Sequence, residues 1–226
     1  MIQFLDLKKQ YRDIKKEIDE AIKSVIKETA FIGGKYVDQF EKEFAAYQEV
    51  KYCIGVGNGT DALEIAIEAL NLPNGSEIIV PANSFIASSE AVTRSGCKVV
   101  FCDCDENNYT ISISSLKSKI TLNTKAVIAV HLYGHPCDMD EILSIAKEND
   151  LKIIEDCAQS HGAEYKDRRV GAIGDIGTFS FYPGKNLGAY GDGGAIVTND
   201  ENLAKKSKMI ANHGRIEKYS HEFEGR

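Results

Sequence analysis

The sequence has no apolar run long enough to span a membrane, and its N-terminus, Met1-Ile2-Gln3-Phe4-Leu5-Asp6, becomes charged too early for a secretory signal. Both absences point to a cytoplasmic protein with no membrane insertion. Positive charge is scarce: 27 Lys and Arg stand against 34 Asp and Glu, a formal charge of -7, and the basic residues are scattered. Nucleic acid is therefore excluded as a general partner, because a phosphate backbone needs a concentrated cationic surface. No internal repeat or low-complexity tract interrupts the 226 residues, so the chain reads as one large domain with room for an incomplete second one.

Cysteine is sparse as well, with six residues at 53, 97, 102, 104, 137 and 157. Four of the six lie in or beside apolar strand-like segments, where a free thiol behaves as a small buried hydrophobe. Cys102 and Cys104, or His131, His135 and Cys137, could offer metal ligands. Their spacing fits no common closed zinc site, so no metal is expected.

The segment from Lys8 to Lys27 repeats Ile14, Ile18, Ala21, Val25 and Ile26 at helical spacing, and this apolar stripe predicts an amphipathic helix packed on something. Phe31-Ile32-Gly33-Gly34 breaks it, and a second short helix runs from Tyr36 to Tyr47 with Phe40 and Phe44 aligned. From residue 52 the pattern alternates. Apolar strand-like runs at 53–56, 77–80, 98–102, 126–130 and 151–155 are separated by helical segments at 60–70, 84–93 and 139–149. Such alternation implies an α/β fold with a mainly parallel sheet covered on both faces, and ligand groups gathered beyond the carboxyl ends of its strands. Residues 175–181 and 194–198 read as two strands with a glycine-rich crossing between them, which argues for an antiparallel pair in a mixed sheet. A last helix over 201–211 leads to a polar tail, Asn212 through Arg226.

Gly57-Asn58-Gly59-Thr60-Asp61 stands between a strand and a helix, where free amides and the Thr60 hydroxyl can hold a phosphate; an ordinary Thr-capped turn has the same form. The glycine spacing matches neither the dinucleotide fingerprint nor the nucleotide P-loop. Phe85 follows another strand end, and fits either a core position or a face that stacks on a planar ring. Asp156 and Gln159 follow Ile153-Ile154-Glu155. A carboxylate there can hold the proton of a pyridine nitrogen and an amide can donate to a ring oxygen, although either could simply close a loop. Lys185, in Ser180-Phe181-Tyr182-Pro183-Gly184-Lys185-Asn186-Leu187-Gly188, supplies an amine that can condense with an aldehyde and move protons at a neighbouring carbon. Ser180 could grip the same phosphate as Thr60. A lone lysine in a glycine-rich loop would be read as surface; its company with Asp156, Gln159 and the Gly59-Thr60 turn is what turns the reading toward chemistry.

In that company the sequence resembles the sugar-nucleotide aminotransferases of the DegT/DnrJ/EryC1/StrS family, fold-type I enzymes that use pyridoxal 5'-phosphate. The matching stretches are Phe4-Leu5-Asp6-Leu7, Gly57 to Leu63, Pro81 to Ala87, Glu155 to Gly162, Gly184 to Gly188 and Gly191 to Gly194, in family order over nearly the entire chain. The resemblance implies a three-layer α/β large domain over residues 51–226, with an N-terminal helical segment, 1–50, packed on it or on a partner. It implies that Lys185 attaches covalently to the cofactor and that Asp156 faces the pyridine nitrogen. Gln159 would sit near the phenolic oxygen and Phe85 over the ring, with Gly59, Thr60 and Ser180 at the phosphate. Dehydratase relatives carry histidine in place of this lysine, so Lys185 favours amino transfer.

The implied reaction is transfer of an amino group from glutamate to a dTDP- or UDP-linked keto-sugar, both substrates using one site in turn, in the synthesis of amino sugars for surface glycans such as lipopolysaccharide. The resemblance also implies a homodimer. Family members continue beyond Gly225-Arg226 into an Asn-Ser-Arg motif, a long helix and a smaller C-terminal domain, so that small domain is expected to be absent here. The alternative expectation is a truncated, noncatalytic protein that binds cofactor or sugar nucleotide.

Overall fold

The computed structural model describes residues 4–217 and 220–225. Residues 1–3 of the N-terminal reading, and 218, 219 and 226 of the polar tail, lie outside the described residues. Two helices come first, α1 (Leu7–Glu28) and α2 (Lys35–Tyr47). The alternating body follows with β1 (Tyr52–Val56), α3 (Gly59–Ala69), β2 (Glu77–Pro81), α4 (Ile86–Arg94) and β3 (Lys98–Cys102). It continues through α5 (Ile113–Lys119), β4 (Thr124–Val130), α6 (Met139–Asn149) and β5 (Lys152–Asp156). A small hairpin of β6 (Glu164–Tyr165) and β7 (Arg168–Arg169) precedes β8 (Ile176–Ser180), β9 (Gly194–Thr198) and α7 (Glu201–Ile210). β10 (Arg215–Glu217) and β11 (Ser220–His221) form a last short ribbon.

Seven strands make one sheet in the order β1-β9-β8-β5-β4-β2-β3. β9 runs antiparallel to both its neighbours, and the remaining pairs are parallel. This is the mainly parallel mixed sheet that the alternating pattern predicts, with the antiparallel member where the glycine-rich crossing falls. Strand alternation divides the core in two. Ile79, Val127, Ile153 and Phe179 face one layer with Phe44, Leu116 and Ile142 of α2, α5 and α6. Ile78, Ile128, Ile154 and Ile176 face the other with Leu63, Val92 and Ala204 of α3, α4 and α7. Helices on both faces of the sheet give three layers, and both strand faces are apolar because both are covered.

The N-terminal helices divide in behaviour. Phe44 of α2 stacks on Phe40 at 5.5 Å and meets Phe179 and Phe181 edge-on at 5.0 and 5.3 Å, so α2 is part of the core. α1 has no buried residue, and its helix kinks at Ile14. Its stripe is only partly covered within the described chain: Ile14, Ile18 and Val25 are half-buried and Tyr11 meets Tyr190 edge-on at 5.9 Å, while Ala21 and Ile26 stay exposed. α5 is absent from the sequence reading. Only Leu116 among its seven residues is buried, and Ser112 starts it by accepting from the Ser115 N–H at 3.3 Å. All six cysteines are free, with Cys53, Cys102, Cys137 and Cys157 buried. Among the described residues no helix is long and apolar enough to cross a membrane.

Candidate functional site

A cleft of about 730 Å³ opens beyond the carboxyl ends of β5 and β8, where α3 and α4 begin. Gly59, Thr60, Phe85, Asp156, Gln159, Ser180 and Lys185, scattered through the sequence, all line it, and Ser88, Tyr182 and Asp192 join them. The walls follow from local sequence. α3 starts where Asn58 turns extended and its side chain accepts from the Asp61 N–H at 2.9 Å, which leaves the first amides of the helix facing the cleft. A Cβ on Gly59 would stand 2.6 Å from the Ser180 Cβ and 3.0 Å from its Oγ, so only glycine lets the start of α3 approach the end of β8 this closely. Thr60 and the Ser180 hydroxyl thereby share one corner, beside a helix N-terminus that favours an anion.

Asp156 ends β5 on the cleft side and is 6 % exposed. The Ser88 hydroxyl of α4 donates to its Oδ2 at 2.8 Å and the Ala158 N–H to its Oδ1 at 3.1 Å. Among the described residues no lysine, arginine or histidine forms an ion pair with it. A nearly buried carboxylate without a counter-ion is poised to receive a cationic or proton-bearing group from a ligand.

Gln159 has its amide orientation fixed. Its Oε1 accepts from the Tyr133 N–H at 2.7 Å, where Tyr133 adopts a left-handed φ of 54°, so its amide N–H groups are the donors left for a ligand. Phe85 caps α4 in an extended conformation and its ring is 69 % exposed, which rules out the core alternative and leaves an aromatic face at the cleft. Lys185 follows a tight turn in which its N–H donates to the Tyr182 carbonyl at 2.8 Å. Its side chain lines the cleft together with Asp156.

Behind Asp156, on the other face of β5, Glu155 is fully buried. It accepts from the N–H groups of Gly171, Ile173 and Gly174 at 2.8, 2.7 and 2.6 Å, and from His131 Nε2 at 3.0 Å. The Cys137 N–H donates to His131 Nδ1 at 3.1 Å, so the ring proton sits on Nε2 and points to Glu155. Burial alone would raise the Glu155 carboxyl, but the hydrogen bonds from His131 and from the Gly174 and Gly171 amides outweigh it and hold the group below its ordinary value. His131, Glu155 and Cys157 offer ligand atoms within 4.8 Å of one another, yet both His131 nitrogens and both Glu155 oxygens are already committed. Burial pushes the Cys157 thiol up to about 12, which keeps it protonated and a poor ligand. His135 takes no part in this group, and its N–H closes a turn on Leu132. Sequence reasoning missed Ser88, Tyr133 and Glu155. Ser88 and Tyr133 carry no local signal, whereas a charged residue inside the apolar run 151–155 marks Glu155 as one whose burial needs partners.

The profile of the DegT/DnrJ/EryC1/StrS aminotransferase family matches residues 12–226. The dTDP-3-amino-3,6-dideoxy-alpha-D-galactopyranose transaminase of Aneurinibacillus thermoaerophilus is 50 % identical over 225 residues, which are 100 % of this chain and 62 % of that protein. Streptomyces venezuelae DesV, solved in complex with a ketimine intermediate, superposes with a TM-score of 0.96 at 45 % identity, covering 99 % of this chain and 60 % of its own. NtdA of Bacillus subtilis, solved with bound cofactor PMP, gives a TM-score of 0.93 at 36 % identity, covering 100 % of this chain and 52 % of its own. The chain thus spans about three-fifths of the length of the curated relatives it matches, which is 59 to 62 % in the first three. On the profile match, on these identities and on the three-layer sheet with its cleft, this chain belongs to the DegT/DnrJ/EryC1/StrS aminotransferase family.

Proposed function

We propose that this chain forms the cofactor-holding part of a pyridoxal 5'-phosphate aminotransferase that moves an amino group from glutamate to a dTDP- or UDP-linked keto-sugar for glycan biosynthesis. The observation that carries the reading is one cleft joining a lysine amine, a nearly buried carboxylate without a counter-ion, an exposed aromatic face and two hydroxyls at a helix N-terminus. Each feature fits one part of the cofactor. Lys185 suits its aldehyde, Asp156 its ring nitrogen, Gln159 its ring oxygen, Phe85 its face, and Gly59, Thr60 and Ser180 its phosphate. Relatives named as dTDP-sugar transaminases, and neighbours solved with PMP or a ketimine, support the same assignment.

When bound, the cofactor supplies a carbonyl for the incoming amine and a ring that accepts the electrons released at the amino acid's α-carbon. The chain's own residues do the rest. Lys185 Nζ would serve as the base that takes the α-carbon proton and the acid that returns it at the cofactor's exocyclic carbon. Asp156, held by Ser88, keeps a proton on the ring nitrogen and so strengthens the ring as electron acceptor. Phe85 shields one face from water, and the hydroxyls of Thr60 and Ser180 donate to the phosphate.

The direct test mixes the chain with pyridoxal 5'-phosphate and glutamate and follows 2-oxoglutarate and pyridoxamine phosphate. Formation of both supports the reading; cofactor binding without either product favours a noncatalytic binding protein. Asp156→Asn keeps the shape and the Ser88 contact but cannot hold a ring proton by charge. It is expected to slow this half-reaction by about 10²-fold or more. A rate within a factor of about two of wild type would remove Asp156 from the mechanism.

We extend the proposal to a homodimer. Phe31 and Ile32 are 66 and 96 % exposed, and with Phe40, Phe44 and Leu187 they line an open apolar groove at the start of α2. A second copy would cover that surface and the exposed part of the α1 stripe. Sedimentation is expected to give about twice the 24.9 kDa chain mass, falling to the single mass in Ile32→Glu. A wild-type chain that sediments at the single mass at every concentration excludes the homodimer.

A further inference from the structure

The loop after Asp156 and the segment carrying Lys185 are joined by a reciprocal pair of hydrogen bonds that the proposed chemistry does not use. Asn186 Nδ2 donates to the His161 carbonyl at 3.1 Å. Its Oδ1 lies 2.8 Å from His161 Nδ1. Because the amide must present its N–H to the carbonyl, its oxygen faces the ring, and Nδ1 therefore carries the proton. Among the described residues these are the only side-chain hydrogen bonds between the two loops. Among the described residues every other hydrogen bond of the lysine segment is local, such as Lys185 N–H to Tyr182 and Ala189 N–H to Phe181.

His161 is itself held firmly. Its ring sits 5.3 Å from both Phe179 and Phe181, which flank Ser180 on β8. Arg169 Nη1 donates to the Gly162 carbonyl at 2.8 Å, fixing the next peptide. Nε2 is buried and makes no hydrogen bond, so a second proton there would be shut off from solvent with only the Ser180 backbone to support it. Burial, reinforced by the nearby Lys185 charge, outweighs the hydrogen-bonding support of Asn186 and of the Ser180 backbone and pushes the ring below its ordinary value. The neutral ring thus keeps a single donor aimed at Asn186.

We propose that His161 and Asn186 are positioning residues, a clasp that sets the Lys185 segment against the Asp156 loop so that amine and carboxylate address one ligand. The inference rests on the proposed function, since positioning matters only if Lys185 reacts. In that reaction the Nζ bonds to the aldehyde carbon and the aldehyde oxygen leaves as water, so the rate depends on where the segment holds the amine. A misplacement of the order of 1 Å costs about 10²-fold in such a step.

The test separates attachment from binding. Attachment of pyridoxal 5'-phosphate is followed by visible absorbance and by borohydride reduction, which fixes the label on Lys185 for peptide mapping. Binding is measured with pyridoxamine phosphate, which has no aldehyde. His161→Leu and Asn186→Ala are expected to slow attachment by about 10 to 10²-fold while pyridoxamine phosphate affinity stays within about twofold. His161→Asn is expected to restore most of the rate, because its amide N–H can stand where Nδ1–H stood. Asn186 is exposed, so Asn186→Ala keeps the test valid if the buried ring cannot be replaced. Attachment at the wild-type rate in Asn186→Ala, or an equal loss of pyridoxamine phosphate binding, would overturn the clasp. Absence of any label on Lys185 in the wild-type chain would instead overturn the function on which it stands, and the clasp with it.

Discussion

Replacing Lys185 by alanine is expected to abolish the visible absorption that the wild-type chain gains with pyridoxal 5'-phosphate, and with it any label retained after borohydride reduction. No other amine takes its place by position, since among the described residues Lys185 is the only lysine lining the cleft. Binding itself should survive. Asp156 keeps its Ser88 and Ala158 partners, Gln159 keeps Tyr133, and Ser180 and Thr60 keep their corner, none of them through the lysine side chain. Pyridoxamine phosphate should therefore bind Lys185→Ala with nearly wild-type affinity. The rate is a different matter, because removing a positioned general base costs about 10² to 10⁴-fold, so production of 2-oxoglutarate from glutamate should fall by at least that factor. Two spectra that coincide before and after the substitution would show that the amine is not the group attached.

The second large effect concerns stability rather than chemistry. Glu155→Ala is expected to cost about 3–5 kcal/mol in denaturant unfolding, the range for leaving a buried charge network without one partner. The loss would strand the N–H groups of Gly171, Ile173 and Gly174 and the His131 ring proton in the interior. Asp156 is the next residue, and its carbonyl accepts from the His131 N–H at 3.1 Å, so the site should loosen with the fold. A measured change below about 1 kcal/mol would mean that the loop finds other acceptors, water included. The acid limb carries the same signature. The folded carboxyl titrates below its ordinary 4.5, so the unfolded chain binds the extra proton in that interval. Glu155 therefore contributes stability that is fully present above pH 4.5 and is lost as pH falls through the depressed folded value. Glu155→Gln, which cannot titrate, should flatten that part of the wild-type stability profile.

Much of the architecture could be read from apolar patterning alone, and particular failures explain the limits. Of the five apolar runs from residue 53 to 155, four became strands paired in parallel and the first, β1, pairs antiparallel with β9; the central ones are apolar on both faces because a strand covered on both must be. α5 escaped because a helix that buries only Leu116 has almost no stripe to detect, and β6 and β7 because two-residue strands have no period. The α1 stripe was legible, but what covers it was not. At the site, Gly59, Thr60, Asp156 and Ser180 could be named because each stands at a strand end or helix start, where the backbone aims groups outward, whereas Gln159 and Lys185 lie in the loops after β5 and β8 and were legible by their side-chain chemistry beside those ends. Ser88 could not, since a serine inside a helix is indistinguishable from any surface polar residue until the helix is docked.

The sequence by itself determined the kinds and order of the strongly patterned elements and which residues carry reactive atoms, because periodicity and side-chain chemistry are local properties. Only the tertiary structure decided that β1 lies beside β9, with Tyr52 opposite Thr198, and that α3 and β8 close within contact at Gly59. It alone turned Asp156 toward the cleft and Glu155 toward the opposite core, and laid Asn186 against His161. Those relations depend on which distant surfaces bury each other, and a one-dimensional pattern carries the demand for burial without naming the partner that meets it.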